Sequence, residues 1–409
     1  MTAPTESDLD PLFNPFTTSG QEVMDEVLAA AREHRPVFFS SLLQAWVVTR
    51  ADDVTRALED PATFSSVGVL GNPPRKEIAE VLAGRVPEGA TLIGWDEPQH
   101  RRMKSVLVSA FSRRQVRAMM PGMERRTAAL LDGLPAGTPV DALTDIALPL
   151  SLDVIFDVIG VPAASRDEFF GWSQDWGRLH GAELEGLDLD HQLRLANSAL
   201  LLHTAMADLI EARRTDPADD LISAVLAAEA AETVPLPAQE LLSLFPGLIF
   251  AGHETTAQLI VRALARLLGT PERRELLADD DTLARFVEET ARLDSPVGGM
   301  ARTVTRPARL GGVDLGPGDR VFLHFGSANR DPGAVRDPED FALDRKVPTA
   351  HLAFGRGIHA CVGAALGRAE AQVVLRTLVT RWPDARVAGP PELQPHYFIR
   401  GFSSLRITR

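Results

Sequence analysis

The stretch HLAFGRGIHACVGAALGRAE, His351–Glu370, holds Cys361, the only cysteine of 409 residues. Gly355, Gly357 and Gly363 crowd around the thiol, and directly after it the sequence turns helical and rich in alanine and leucine. A sulfur at the mouth of a helix faces the positive end of the dipole and unsatisfied N–H groups, which favour the thiolate. Thiolate is the nucleophilic and metal-binding form. Glycines permit close backbone approach and positive φ, so a large flat ligand can lie against such a loop. The thiol by itself leaves three readings open. It is a buried structural cysteine, the nucleophile of a hydrolase or transferase, or the ligand of a metal centre.

One cysteine cannot form an intrachain disulfide, so the fold is not disulfide-built. The opening residues, MTAPTESDLDPLFNPF, carry neither a basic region nor an apolar core, and no signal peptide is expected. The longest apolar run, near Leu241–Gly252, is broken by Ser243 and Pro246 and is too short to span a bilayer. A cytoplasmic protein without membrane attachment is expected. A formal charge of −14 argues against nucleic acid as a partner, because phosphate neutralisation needs a basic face. Positive charge is nevertheless concentrated in HRRMK (His100–Lys104) and SRRQVR (Ser112–Arg117).

Outward from the thiol the chain shows no internal repeat and no low-complexity tract. Residues 1–20 read as an irregular arm. QEVMDEVLAAAREH has helical spacing, PVFFSSLLQAWVVT is β-rich with a hairpin at its centre, and ADDVTRALED is a short helix. Pro61–Asp96 has no clear periodicity, and a loop of that length is usually functional. From Pro98 to Leu293 apolar residues recur every three or four positions, with breaks at Gly133–Gly137, Gly160–Pro162, Pro217 and Pro235–Pro237. ARTVTRPARLGGVDLGPGDRVFLHF alternates and carries turn glycines, so it reads as β. A helix is expected over Val362–Thr380 and a closing hairpin in HYFIRGFSSLRI. The sum is a mainly α protein with a minor β portion. Length alone allows two or three domains.

Two further motifs bear on the thiol. AGHETT (Ala251–Thr256) sits midway through the apolar run Leu241–Leu268, where a carboxylate is costly without a partner or a task. Glu254 and Thr255 are there either a satisfied pair at a helix bend or a functional acid and alcohol. EETARLDSP sets Glu289 and Arg292 one turn apart, able to pair, as many surface helices do. Phe354-Gly355-x-Gly357-x-His359-x-Cys361-x-Gly363 resembles the haem-binding loop of the cytochrome P-450 family, the haem-thiolate monooxygenases. AGHETT is similar to that family's oxygen-binding helix. The Glu-x-x-Arg, ANRDP (Ala328–Pro332) and FALDR (ending at Arg345) segments resemble its sequence in the same order, and DEPQHRRMKSVLVSAF resembles its C-helix. The resemblance runs from about Asp10 to the end.

It implies a triangular helical prism with haem b between the I and L helices, and one catalytic domain over residues 21–409. Cys361 would ligate the iron, with thiolate donation favouring O–O cleavage and Phe354 packed beside the sulfur. Small Ala251 and Gly252 would leave room beside the haem. His100, Lys104, Arg302 and His359 would hold the propionates. Relatives commonly carry arginine where Lys104 stands, and lysine offers a point charge rather than a fork. Glu254 and Thr255 would be catalytic, and Glu289, Arg292 and Arg345 would form a buried structural ion network. Pocket walls would fall at Leu92, Ile93 and Trp95, at Phe250, at Val297 and Met300, and at Phe398 and Phe402. That mainly apolar set suits a small, largely apolar organic substrate. Phe169, Trp172 and Trp176 share one helical face, as core or as lid.

The reaction would consume O2 with electrons ultimately from NAD(P)H. The sequence carries no flavin or nicotinamide segment, so a separate ferredoxin-type donor with its reductase is expected. It would dock near Arg101, Arg102, Arg113, Arg114 and Arg117. The enzyme would act as a monomer in secondary-metabolite biosynthesis or catabolism. The alternatives are a haem protein that binds without turnover and a cysteine hydrolase without haem. Colour separates the second, and NADH consumption in a reconstituted electron chain separates the first. A peroxide-driven enzyme is disfavoured, because the known peroxygenase relatives replace the acid–alcohol pair.

Overall fold

Side-chain caps and apolar stripes set the helix boundaries. The Thr17 hydroxyl accepts the Gly20 N–H at 3.1 Å, satisfying one of the orphan donors at a helix start. The helix it opens buries Met24, Val27, Leu28 and Ala31 along one side. The computed structural model describes residues 9–70, 74–86, 91–231, 237–270, 279–345 and 351–409. In chain order its helices are α1 (Leu9–Leu12), α2 (Thr18–His34), α3 (Ala51–Glu59), α4 (Lys76–Leu82), α5 (Gln99–Ala110), α6 (Arg113–Gly133) and α7 (Leu148–Ile159). There follow α8 (Arg166–Gly181), α9 (Leu189–Thr215), α10 (Leu221–Ala231), α11 (Ala238–Leu268), α12 (Asp280–Leu293), α13 (Phe325–Ala328) and α14 (Ala364–Arg381). The strands are β1 (Val37–Ser40), β2 (Ala45–Val48), β3 (Phe64–Ser65), β4 (Val140–Asp141), β5 (Met300–Val304) and β6 (Ala308–Leu310). After them come β7 (Val313–Leu315), β8 (Arg320–Leu323), β9 (Arg386–Val387), β10 (Glu392–Gln394), β11 (Gly401–Ser404) and β12 (Arg406–Thr408). The expected class, mainly α with a minor β portion, is the one observed.

Contacts divide the chain into two compact units. The first comprises residues up to Ser65, Val116–Ser151 and Glu254–Arg409. Its main sheet has the order β1-β2-β8-β5-β3, antiparallel except where β2 runs parallel to β8. Val37, Val48, Val321 and Leu323 from this sheet meet Val54 and Leu58 of α3, Phe325 of α13 and Leu352 in one buried cluster. Each such side chain contributes roughly 1.5–3 kcal/mol when removed from water. In this unit α12 also packs against α14. The second unit comprises Ser66–Gln115 and Leu152–His253. There α8 packs along α9, α4 against α9, and α10 against both α5 and α9. Asp188 caps α9, its carboxylate accepting the His191 N–H at 2.7 Å.

Four expectations need correction. The arm is not irregular over its described part. Leu9 and Phe13 are buried, α1 lies between them in sequence, and the Phe13 ring meets Phe38 edge-on at 5.5 Å. Met1–Asp8 lie outside the described residues. Pro61–Asp96 is not one loop, because it contains β3, α4 and a turn of 3-10 helix at Leu92–Gly94. Only Ile78 of α4 is buried, so this short helix leaves no stripe to read. The tail is not a closing hairpin. β11 pairs with β10, whereas β12 pairs with β4 and β9. Between them Leu405 is buried and its carbonyl accepts the Ala142 N–H at 2.8 Å, so the chain changes sheets there. β4 itself, finally, interrupts the stretch expected to be helical, because its partner β12 is distant in sequence and local periodicity does not report it.

Candidate active site around Cys361

The chain from Leu352 to Gly363 folds back on itself. Gly355 N–H donates to the Leu352 carbonyl at 2.8 Å, Ala360 N–H to Gly357 at 3.1 Å, and Cys361 N–H to Phe354 at 2.8 Å. Gly355 and Gly357 have φ of 67° and 71°, values that glycine adopts without steric cost. Gly357 also presses on the Leu58 carbonyl at the end of α3, where no Cβ fits. Cys361 is exposed, three residues before α14 begins. Phe354, Ile358, Ala360, Val362 and Ala364 around it are only partly buried. A reachable sulfur donor with an apolar flank fits an iron-bearing planar macrocycle, the sulfur for the metal and the flank for the ring. Among the described residues, no group of three or more His, Cys, Asp or Glu side chains is placed to hold a metal ion by itself.

A charged lattice supports this loop. Arg292, wholly buried, donates Nε to Glu289 Oε2 at 2.9 Å and Nη2 to Oε1 at 2.7 Å. Its remaining N–H groups reach the carbonyls of Asn329, Pro338 and Asp340. Arg345 Nε donates to Glu289 Oε1 at 2.9 Å. Burial alone would raise the Glu289 pKa, but Arg292, the Ala342 N–H and Arg345 outweigh it and hold the carboxyl below its ordinary value. Asn329 carries the lattice onward, accepting the Leu352 N–H at 2.6 Å and donating to Ser295 at 2.7 Å.

The sequence reading missed a second acid here. Glu288 accepts from Arg368 of α14 and lies 3.0 Å from His351 Nε2. Against the opposing effect of burial, these partners bring its carboxyl down to about 2. The Arg368 guanidinium lies over the Phe354 ring, 4.0 Å from its centre. Both ends of the thiol loop are thereby tied to α12. The adjacent Glu288–Glu289 pair and the arginine after the glycine loop were the available signals.

Helix α11 runs unbroken past Pro246. Glu254 and Thr256 are buried, Thr255 partly so, and Ala251 is exposed. A Cβ on Gly367 of α14 would stand 3.4 Å from Thr256 Oγ1. The helix that follows the thiol therefore meets α11 one residue beyond Thr255. His253, also missed, is fully buried. Its Nδ1 lies 2.7 Å from the Ile249 carbonyl, to which it donates, which leaves Nε2 to accept from the Gln174 amide at 3.0 Å.

The remaining expected residues fall in separate units. In the second unit, His100 is buried on α5 with Lys104 one turn on. Burial, then the Lys104 charge, lowers the His100 pKa. Leu92 and Trp95 are buried and Ile93 partly so. Thr91, just before them, stands 2.6 Å from where a Gly247 Cβ would lie. Phe250 packs on Gly177 and lies 6.1 Å from Trp176, and Gly252 sits against Ile155. Phe169 and Trp176 are buried as core, and Trp172 is partly buried. Arg101 pairs with Glu97 at 2.8 Å, and half-buried Arg102 pairs with Glu240, so Arg102 is an internal group rather than a free surface charge. Arg113 and Arg114 are exposed.

In the first unit, Arg302 is buried on β5 and donates to the Ala301 carbonyl at 2.7 Å, while His359 belongs to the thiol loop itself. Val297 bridges Ile399, and the Gly298 N–H donates to the Phe398 carbonyl at 2.6 Å, which brings Val297 and Phe398 together. Met300 packs on the sheet core. The Phe402 ring lies under the Arg262 guanidinium at 4.7 Å. Arg117 is exposed.

The comparisons with known proteins bear on this arrangement as a whole. A sequence profile described as Cytochrome P450 matches residues 189–383. The chain is 36% identical over 356 residues to cytochrome P450 107B1 of Saccharopolyspora erythraea, covering 86% of this chain and 85% of that one. It is 35% identical over 359 residues to nocardicin C N-oxygenase of Nocardia uniformis, again over 86% and 85%. Among solved structures, the haem domain of a P450 from Tepidiphilus thermophilus superposes with a TM-score of 0.89 at 27% identity, covering 97% of this chain and 96% of that one. With the glycine-framed thiol, the acid–alcohol helix and the lattice of Glu289 all present in one chain, these likenesses establish that it belongs to the cytochrome P450 family and is a haem-dependent monooxygenase.

Proposed function

We propose that Cys361 binds the iron of haem b, and that the enzyme oxidises a small, largely apolar organic molecule with O2 and electrons ultimately from NAD(P)H. The observation that carries this reading is the Cys361 loop: an exposed sulfur, framed by two left-handed glycines and fixed through Phe354 and Arg368 to α12. Haem bound there supplies O2 activation, with the thiolate pushing electron density toward O–O cleavage. His100, Lys104, Arg302 and His359 would hold the propionates through charge-assisted hydrogen bonds. Phe354 would flank the sulfur, and Ala251 and Gly252 would leave space on the α11 side. The Thr255 hydroxyl would hold and deliver a proton at Oγ1, and the Glu254 carboxylate would resupply it through water. The two units would work as one catalytic domain.

Leu92, Ile93, Trp95, Phe250, Val297, Met300 and Phe398 would line the substrate site. Relatives named for nocardicin C N-oxygenation and for mycinamicin IV hydroxylation and epoxidation, and a structural neighbour solved with testosterone, support a natural product as substrate and a role in secondary metabolism. A ferredoxin-type donor is the proposed electron source, meeting Arg113, Arg114 and Arg117. Among the described residues no helix is long and apolar enough to cross a membrane. The proposed state is a cytoplasmic monomer.

The test is a screen of natural products for shifts of the Soret band, followed by turnover of the hits with ferredoxin, reductase and NADPH. Thr255→Ala is expected to keep its haem and much of its NADPH consumption while releasing more hydrogen peroxide and less product. Glu254→Gln slows overall consumption instead. Unchanged product per NADPH in Thr255→Ala contradicts the proton-delivery role.

A further inference from the structure

Gln258 stands one turn beyond Glu254 on α11 and is fully buried. The Phe402 N–H donates to its Oε1 at 2.8 Å. Its Nε2 donates back to the Phe402 carbonyl at 3.0 Å and to Gln394 Oε1 on β10 at 3.1 Å. One side-chain amide thus closes both main-chain groups of Phe402 and reaches the partner strand as well. Gly401 lies so close to the same amide that no Cβ fits. A turn further along, Arg262 Nε donates to the Arg400 carbonyl at 2.9 Å, and its guanidinium covers the Phe402 ring. Three successive residues, Arg400, Gly401 and Phe402, are therefore fastened to one helix face.

The ladder between β10 and β11 is too small to fix itself. It has three residue pairs, with an irregularity between Glu392 and Leu393, and an isolated pair of strands is marginal in water. A slip of one residue turns every side chain to the opposite face. The register must come from outside the ladder, and Gln258 is placed to supply it. The loop carried by this hairpin brings Phe398 against Gly298.

We propose that Gln258 is a positioning residue for substrate selectivity: its amide sets the register of β11 on α11 and thereby the place of Phe398 in the substrate site, with Phe402 as the anchoring ring rather than a wall. A neutral amide is required because the position must both accept and donate. The inference rests on the substrate site proposed above.

The experiment uses full-length, haem-loaded protein with Gln258→Leu and Gln258→Glu. In Gln258→Leu the Phe402 amide is expected to exchange its hydrogen about 100-fold faster than in the wild type, with the Ile407 amide on β12 unaffected. The dissociation constant of clotrimazole, a bulky azole, is expected to change about tenfold, and that of imidazole by less than about twofold. Gln258→Glu keeps the acceptor for the Phe402 N–H and should fall between wild type and Gln258→Leu. If Gln258→Leu fails to load haem, Gln258→Glu decides by the same measurements. Unchanged Phe402 exchange overturns the inference and leaves the substrate site intact. Faster exchange with an unchanged clotrimazole constant overturns it by removing the hairpin from that site. A wild-type protein whose Soret band does not respond even to imidazole refutes the haem reading itself, a distinct outcome.

Discussion

The thiol loop and the α8–α11 packing of the second unit are held by different forces. Behind Cys361 the contacts are ionic: Arg292 and Arg345 meet Glu289 and main-chain carbonyls, and Arg368 meets Glu288, with Arg292 and Glu289 buried and the other three partly so. Among the described residues of the second unit α8 meets α11 without ions, through the close approach of Phe250 to Gly177 and the neutral hydrogen bond between Gln174 and His253. Its Arg75–Glu183 pair between α4 and the end of α8 is largely exposed, and exposed pairs stabilise little. A buried ion set tolerates no missing member, because the partner left behind is an unpaired charge. Apolar contacts accept volume-conserving exchange at small cost. One region is thus built for a fixed geometry, and the other admits exchange of its side chains.

The contrast can be broken at its strongest point. Arg292→Ala leaves Glu289 buried without its main partner and is expected to cost about 3–5 kcal/mol. Little or no haem-loaded protein should be recovered, read as the yield of ligated protein per cell mass. Full recovery with an unchanged melting temperature would show that the lattice is dispensable.

A second site sharpens the comparison on the same side. Glu370 lies on α14, wholly buried, and burial pushes its carboxyl up to about 8 against the opposing influence of Ser151. Between the ordinary value near 4.5 and about 8 the folded state binds more protons than the unfolded one, so this group lowers stability as pH rises through that window. Glu370→Gln removes the slope. Its stability relative to the wild type should rise with pH from 5 to 8 by on the order of a few kcal/mol, measured by denaturant unfolding. A constant difference across that range contradicts the burial argument.

The smaller effect belongs to the second unit. Gly177→Val drives a side chain into the Phe250 ring and is expected to cost about 1–3 kcal/mol. The melting temperature falls, and the spectrum of the thiolate-ligated haem stays as it was. A lost thiolate spectrum at preserved fold would mean that the α8–α11 packing also sets the thiol loop.

The same contrast decides what the sequence made legible. The glycines at 355 and 357 and the acids and arginines of α12 were readable because few other residues satisfy a left-handed turn or a buried charge. The helical bulk was readable from its period. Residues 61–96 were not, since α4 buries a single side chain. The tail misled because alternation is the same whether a strand pairs with its neighbour or with β4, more than 260 positions away. Gln258 and His253 were invisible for a related reason. Their roles depend on bonds to Phe402 and Gln174, and nothing local in AGHETTAQ announces them.

The central claim is that the Cys361 sulfur ligates haem iron, and the reduced, carbon monoxide-bound spectrum tests it most directly. The wild-type protein is expected to show the strongly red-shifted Soret band of thiolate ligation, and Cys361→Ser to lose it while retaining helical content by circular dichroism. An identical red-shifted band in the Cys361→Ser protein would contradict the account.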